Sequence, residues 1–237
     1  MRHRIPFRHL AVLCLVFLTA TLTVSAQDGT RTFNFSNFDR LDMGSAFVIN
    51  VSQGSSYKIS ATGRQKDLDD LEAAVVGNKT LRIRYKSSDW RNNRRERVTF
   101  TITMPSLSGV SFGGASKSTV AGFRNQKVFD IDISGASSST IDVDATDVHI
   151  DVSGASSVTL AGKARTLKGD VSGATSLKAY DLKLESAAVE ASGASNAQLF
   201  VTSRLQADAS GASSIRYKGS PSVQSNTSGA SSVRTVN

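Results

Sequence analysis

The sequence contains little cysteine and histidine, and this scarcity limits the chemistry open to the chain. Of 237 residues, one is cysteine, Cys14, and three are histidine. Cys14 lies in an apolar run near the N-terminus that is typical of a secretion signal, so the processed chain keeps no cysteine and only His149. Disulfides and thiolate metal sites are thereby excluded, and any histidine-based catalytic triad has to use His149.

The first 26 residues are predicted to be a signal peptide. Three arginines, Arg2, Arg4 and Arg8, precede an apolar run over 10–18, and small residues at 24–26 follow it. That run is too short to span a bilayer comfortably, and no second long hydrophobic stretch occurs. We therefore expect an exported protein of the periplasm, outer cell surface or extracellular space, with no transmembrane segment in the mature chain.

Charge is modest overall but concentrated in one segment. The full chain carries a net charge of +8, and without the leader it has 25 basic and 20 acidic residues. Trp90 is followed by Arg91, Arg94, Arg95 and Arg97. A basic segment beside an aromatic ring could bind an acidic polysaccharide or a lipid headgroup, and the alternative is a solvated hairpin tip. Nucleic acid is not expected as a partner of an exported chain without a nucleic-acid-binding motif.

A Gly-Ala-Ser or Gly-Ala-Thr motif recurs seven times at intervals of 18 to 21 residues. Such regularity is the signature of a solenoid, in which each repeat buries its apolar face against its neighbours. The motif glycines are Gly114, Gly135, Gly154, Gly173, Gly193, Gly211 and Gly229. We interpret them as structural corners, because glycine permits a positive φ or a close approach of backbone.

Apolar residues around each motif lie at alternate positions, and no stretch keeps a helical period. Before Gly154, for example, come Val152, Ile150 and Val148. Alternation of this kind predicts strands with one buried face, and repeats of about 19 residues without helices favour parallel strands in a β-helix. The Ser or Thr two residues after each glycine should then point inward and bind a neighbouring hydroxyl or backbone group.

The same alternation predicts an outward row of acidic side chains three residues before each motif glycine. The row comprises Asp132, Asp151, Asp170, Glu190 and Asp208. Stacked in register, these carboxylates would stand about 5 Å apart and repel one another. Two interpretations stay open: a solvated edge with counter-charge from Lys168, Lys178, His149 and Arg216, or bridging by Ca²⁺. No other cofactor is indicated.

Residues 27–110 also alternate, and we expect them to form irregular, strand-rich opening coils that cap the solenoid. Residues 111–237 would form the regular β-helix, and 27–237 one continuous domain. The last strand begins near the end of the sequence, and its open edge could pair with another copy of the chain.

Taken together, the chain resembles the head GIN domain family, described as putative autotransporter adhesins. The resemblance rests on the leader, on Thr-Ile-Thr-Met-Pro at 101–105, on the Ser-Gly-Ala-Ser series, and on Tyr-Lys-Gly-Ser-Pro at 217–221. It implies an all-β, right-handed parallel β-helix from a Bacteroidetes-like bacterium. We therefore expect a non-catalytic binding or structural module of the cell envelope, whose partner is a surface glycan or another envelope protein.

A polysaccharide lyase or glycoside hydrolase is the alternative, because β-helices also carry such enzymes. Paired carboxylates such as Asp142 with Asp144, or Asp130 with Asp132, suit glycoside hydrolysis when they are roughly 5 to 9 Å apart. Residues two apart on any strand nearly meet that condition, so the pairs have little specificity. The near-constant coil length also leaves no long loops to wall a cleft.

Overall fold

The computed structural model describes residues 28–86 and 94–236, so the predicted signal peptide lies outside the described residues. Within this part the regular structure is β-strand except for one short helix, α1 (Gln65–Asp69). The strands, in chain order, are β1 (Asp28–Phe33), β2 (Arg40–Met43), β3 (Val48–Gln53), β4 (Lys58–Arg64), β5 (Leu71–Val76), β6 (Thr80–Tyr85), β7 (Thr99–Met104), β8 (Gly109–Phe112), β9 (Lys117–Ile133), β10 (Ser138–Val152), β11 (Ser157–Val171), β12 (Ser176–Ala191), β13 (Asn196–Ala209), β14 (Ser214–Lys218), β15 (Ser222–Thr227) and β16 (Ser232–Thr235).

The strands form two columns that share the long strands β9 to β13. The first column contains β1, β4, β7, β3, the first halves of the long strands, β14 and β16. The second contains β5, β6, β2, β8, the second halves, and β15. In β10 the buried alternation is reset between Ala145 and Val148, where the chain passes from one column to the other. The predicted β-solenoid of about 19-residue coils is thus confirmed.

The N-terminal strands differ in part from the expected opening coils. Strands β2 and β3 form a parallel coil, but it lies between the coil of β6 and β7 and that of β8 and β9, out of chain order. Strands β1, β4 and β5 pair antiparallel with their neighbours. The turn between β5 and β6 explains one such pair, because Asn78 and Lys79 adopt φ of 57° and 52°, which suits a tight hairpin.

The core lies between the two columns and changes in character along the solenoid. Near the N-terminal end Phe47 packs against Phe100 and Tyr85, with ring centroids 4.8 and 5.1 Å apart. In the last coils the buried positions are mostly alanine and leucine, such as Ala207 and Leu205. The N-terminal half therefore holds the larger buried side chains.

All seven motif glycines lie at exposed corners with φ between 72° and 80°. The alanine after each of the last six donates its N–H to the carbonyl of the previous corner glycine, as in the 2.8 Å bond from Ala174 to Gly154. A Cβ on Gly173 would collide with that same Gly154 carbonyl. The corner therefore needs glycine for its φ and for the close stacking of backbones.

The hydroxyl two residues after each motif glycine points inward at the first six corners, where it is 2% exposed. Ser156 donates to the carbonyl oxygens of Ser153 and Gly135, at 2.9 and 3.2 Å. Ser195 differs, because its buried Oγ has no hydrogen-bond partner within the described chain. The stack is thus satisfied mainly by backbone carbonyls.

Gly173→Val should lower the stability of the fold strongly. The substitution places a β-branched residue at φ of 79° and drives its Cβ against the Gly154 carbonyl. A loss of about 3 kcal/mol corresponds to a fall in Tm of roughly 10 °C for a chain of this size. Thermal unfolding followed by circular dichroism measures it, with exposed Ala174→Ser as control. An unchanged Tm would contradict the corner assignment.

Two buried serines of the hydroxyl stack should respond in opposite ways to alanine. Ser156→Ala removes the hydroxyl proton shared between the carbonyl oxygens of Ser153 and Gly135 and should destabilise the protein by about 1 kcal/mol. Ser195→Ala removes a buried hydroxyl without a partner among the described residues, so it should be neutral or stabilising. Urea unfolding midpoints of the two variants test this, and equal destabilisation would refute it.

Candidate binding surfaces

Side chains that alternate with the core form two outward faces, one on each column. We call the outward side of the first column the hydroxyl face and that of the second column the acidic face. The corner motif separates them: Asp170, three residues before Gly173, lies on the acidic face, whereas Lys178, five residues after it, lies on the hydroxyl face.

The five acidic residues predicted to form a row are paired in register on the acidic face. The row continues at both ends with polar residues that satisfy its terminal carboxylates. Ser111 donates to Asp132 at 3.1 Å, and Asn226 donates to Asp208 at 2.6 Å. The carboxylates at the ends of the row are therefore stabilised by hydrogen bonds from uncharged side chains.

The middle of the row, Asp151, Asp170 and Glu190, makes no ion pair with any described residue. Lys178 and Arg216, expected as counter-charges, lie on the hydroxyl face, because the corner turns the chain before they are reached. Across the described ranges, no three His, Cys, Asp or Glu side chains converge in a group able to hold a metal. The Ca²⁺ interpretation of the row stays a prediction.

The carboxylates considered for catalysis are largely engaged with cations on the surface. Arg124 binds Asp142 through two bonds of 2.9 and 2.6 Å, and Lys163 approaches Asp144 at 3.2 Å. Asp130 accepts from Arg40 at 2.7 Å and contacts His149 Nδ1 at 2.9 Å. His149 therefore belongs to an exposed charge network, and its contact there is the Asp130 carboxylate.

The hydroxyl face carries two parallel rows of polar side chains that the sequence analysis did not predict. One, which we call the central row, runs in register across eleven strands: Thr32, Ser60, Thr101, Asn50, Thr119, Thr140, Thr159, Lys178, Gln198, Arg216 and Arg234. A flanking row includes Thr30 and Thr62, whose hydroxyls are 3.4 Å apart. The threonines at alternate positions 99, 101 and 103 are the sequence feature from which these rows could have been predicted.

The basic segment is described only from Arg94 onward, so Trp90 and Arg91 lie outside the described residues. Arg94 and Arg97 are exposed. Arg95 is held instead by the fold: its Nη2 lies 2.6 Å from Asp70 Oδ2, and its guanidinium stacks 3.9 Å from the centre of the Tyr85 ring. Burial of this ring, with a further contribution from the Asp67 charge, raises the pKa of Tyr85 to about 12.

A nearly buried carboxylate anchors this segment to α1. Asp67, 3% exposed, accepts two bonds from Arg64 at 2.9 and 3.1 Å and one from the backbone N–H of Glu96 at 3.1 Å. Arg64 also donates to the carbonyl of Arg94 at 2.6 Å. The Asp67 and Arg64 pair thereby fixes the backbone that leads into β7, at the edge of the hydroxyl face.

Depressions on the described surface are shallow and follow the strand rows. Two of them, of about 250 and 340 Å³, lie along the acidic row between Asp170 and Asp208. Neither is walled by a long loop, because their linings come from strand and corner residues. Such surfaces suit an extended ligand better than a small enclosed one.

Comparison with known proteins gives a family and several structures of the same fold. The family described as "Putative auto-transporter adhesin, head GIN domain" matches residues 37–221, and no curated protein matches the chain. A putative adhesin from Bacteroides fragilis is 23% identical over 90% of this chain and 98% of its own, with a TM-score of 0.83. A putative adhesin from Parabacteroides distasonis is 16% identical over the same shares, with a TM-score of 0.71.

A putative lipid binding protein from Parabacteroides distasonis is similar as well. It is 18% identical, again over 90% of this chain and 98% of its own, with a TM-score of 0.66. At such identities these structures establish the fold alone. Among the described residues there is also no helix of sufficient length and apolarity to cross a bilayer.

Asp67→Asn should loosen the basic segment. It removes the charge that binds Arg64 and so weakens the contacts that hold the backbone at Arg94 and Glu96. Trypsin should then cleave at Arg94 and Arg97 faster than in the unmodified protein. Exposed Asp69→Asn is the matched control, because Gln65 is the one side chain among the described residues that donates to the Asp69 carboxylate. Equal cleavage rates in all three proteins would contradict the anchoring role.

Proposed function

The chain belongs to the family of putative auto-transporter adhesins with a head GIN domain, and on that premise we propose that it is a non-catalytic binding module whose ligand is an extracellular glycan. We propose further that it is exported to the cell envelope, as its predicted leader indicates. An envelope protein is the competing partner, and the experiment below separates the two.

The hydroxyl face is the observation that carries this proposal. Eleven strands in register place its central row along roughly 48 Å of the solenoid, at about 4.8 Å per strand. Hydroxyl and amide groups both donate and accept hydrogen bonds, as sugar hydroxyls do. A flat, periodic array of this kind fits an extended polymer that lies along the solenoid axis.

The ion pairs made by the candidate carboxylates support the proposal that the chain is not an enzyme. Asp142 and Asp144 face cations at 2.6 and 3.2 Å, and Asp130 is shared by Arg40 and His149. Their oxygens are engaged by these side chains, whereas glycoside hydrolysis needs one carboxyl free to donate a proton and another free to attack or to activate water. The shallow depressions would also leave a reacting bond open to water.

The basic segment is proposed as a second contact at the N-terminal edge of the hydroxyl face. Arg97 lies two residues before Thr99, which belongs to the flanking row. We assign ligand contacts to Trp90, Arg91, Arg94 and Arg97, with Trp90 stacking on a sugar ring. Arg95 was predicted to join them, but its bond to Asp70 and its stacking on Tyr85 favour a structural role.

Glycan-array and affinity-electrophoresis measurements on the chain without its leader test the proposal. Thr101→Val, Thr119→Val and Thr140→Val together should weaken binding by about tenfold, because each removes a hydroxyl while keeping β-branching. The matched control replaces Ser153, Ser172 and Ser192 of the acidic face by alanine. Failure to bind any glycan, with capture of an envelope protein instead, would overturn the proposal.

The basic segment has its own test in the same assay. Trp90→Ala combined with Arg91→Ala, Arg94→Ala and Arg97→Ala should weaken binding by a similar factor of about ten without changing Tm. Binding equal to that of the unmodified chain would remove the segment from the binding surface. It would leave the hydroxyl face untouched as a candidate.

A further inference from the structure

We propose that the C-terminal part of the central row is a binding site for an acidic, uronate-type polysaccharide. This inference rests on the glycan-binding function proposed above and specifies its ligand class. The site consists of Lys178, Arg216 and Arg234, with Gln198 between the first two. We call these four residues the basic row.

The basic row is a line of like charges that the fold does not neutralise. Arg216 and Arg234 are directly opposite each other on β14 and β16, an arrangement that opposes folding when nothing offsets it. In the described part of the chain, neither these two arginines nor Lys178 forms an ion pair with a carboxylate. All three side chains are exposed, so their charge is available to a ligand.

Several outward arginines elsewhere on the solenoid bind carboxylates, although exposed Arg204 on β13 forms no ion pair within the described chain. Arg82, Arg124 and Arg165 each bind a carboxylate on the adjacent strand, and Arg40 binds Asp130 across β8, at distances of 2.6 to 3.2 Å. Glu190 and Asp208 of the last coils lie on the acidic face, on the other side of the corner, and Asp181 lies beside Tyr180 without forming an ion pair within the described chain. The hydroxyl face is therefore left with uncompensated positive charge at this end.

The surroundings of the basic row suit a sugar polymer. Ser176, Asn196, Ser214 and Ser232 run beside it in register and supply short polar groups. Tyr180, half-buried, lies on the same strand two residues beyond Lys178, and the Lys218 ammonium sits 4.9 Å from its ring centre. An aromatic face next to cations can stack on a pyranose ring whose carboxylate pairs with a guanidinium.

The spacing of the row favours a linear polymer over a membrane surface. Adjacent strands are about 4.8 Å apart, close to the length of one sugar unit in an extended polysaccharide. The row also continues without interruption into the threonines of β9 to β11, which are neutral. An anionic bilayer would gain nothing from that neutral continuation, whereas a polysaccharide can follow it along the axis.

Binding of polygalacturonate to the chain without its leader tests the inference directly. Lys178→Gln, Arg216→Gln and Arg234→Gln together should weaken binding at least about tenfold and flatten its dependence on salt. Arg216→Lys with Arg234→Lys should retain most of the binding. The control Lys66→Gln, Lys127→Gln and Lys168→Gln removes the same charge away from the basic row and should bind like the unmodified chain. Cooperative thermal unfolding of each variant, with a Tm no lower than that of the unmodified chain, verifies folding.

The outcomes separate this inference from the proposed function. Unchanged polygalacturonate binding in the basic-row variant overturns the inference. So does binding of the unmodified chain to neutral dextran but not to polygalacturonate. Both outcomes leave the glycan-binding function in place. Binding to phosphatidylglycerol vesicles in preference to polygalacturonate, lost in the same variant, assigns the row to lipid and also overturns it. Binding to no glycan overturns both.

Discussion

The hydrogen bond between successive corners is the constraint on which the rest of the solenoid depends. From Ala136 to Ala230, the alanine N–H after each motif glycine reaches the carbonyl of the preceding corner glycine at 2.7 to 2.8 Å. Only a residue without Cβ allows the two backbones to stack so closely at a positive φ. Because every coil is locked to the next at this point, the strands on both sides of the corner share one register.

Because the corners keep the coils in register, the sequence repeat determines which side chains lie next to one another on the surface. A residue type that recurs at the same offset from the glycine becomes a continuous row, as the acidic residues do on one face. The core itself tolerates variation, from Phe47 and Phe100 at one end to Ala207 at the other. The rows aligned with Asp170 and with Lys178 therefore carry opposite charges in the last coils while the interior stays apolar, and the ligand proposed for the basic row follows from that separation.

Sequence patterns predicted the local features well and the order of the N-terminal strands poorly. Alternation around Gly154 and its equivalents identified strands, core positions and the acidic row, because these depend only on residues of one repeat. The coil of β2 and β3 is inserted between two later segments, and β4 pairs antiparallel with β7. No period in the sequence predicts these pairings, because they depend on which apolar surfaces the other strands leave uncovered.

The sequence by itself determined the architecture. A β-solenoid is predicted by the spacing of 18 to 21 residues between glycines, by the strict alternation of apolar residues and by the small residues at the corners. Only the tertiary structure decided the surfaces. It placed Lys178 and Asp170 on different faces although eight residues separate them, and it aligned Thr101, Asn50 and Thr119 from three distant segments. The physical reason is that alternation assigns a side chain to the inside or the outside, whereas the position of the corner and the pairing of strands assign it to a face and to its neighbours.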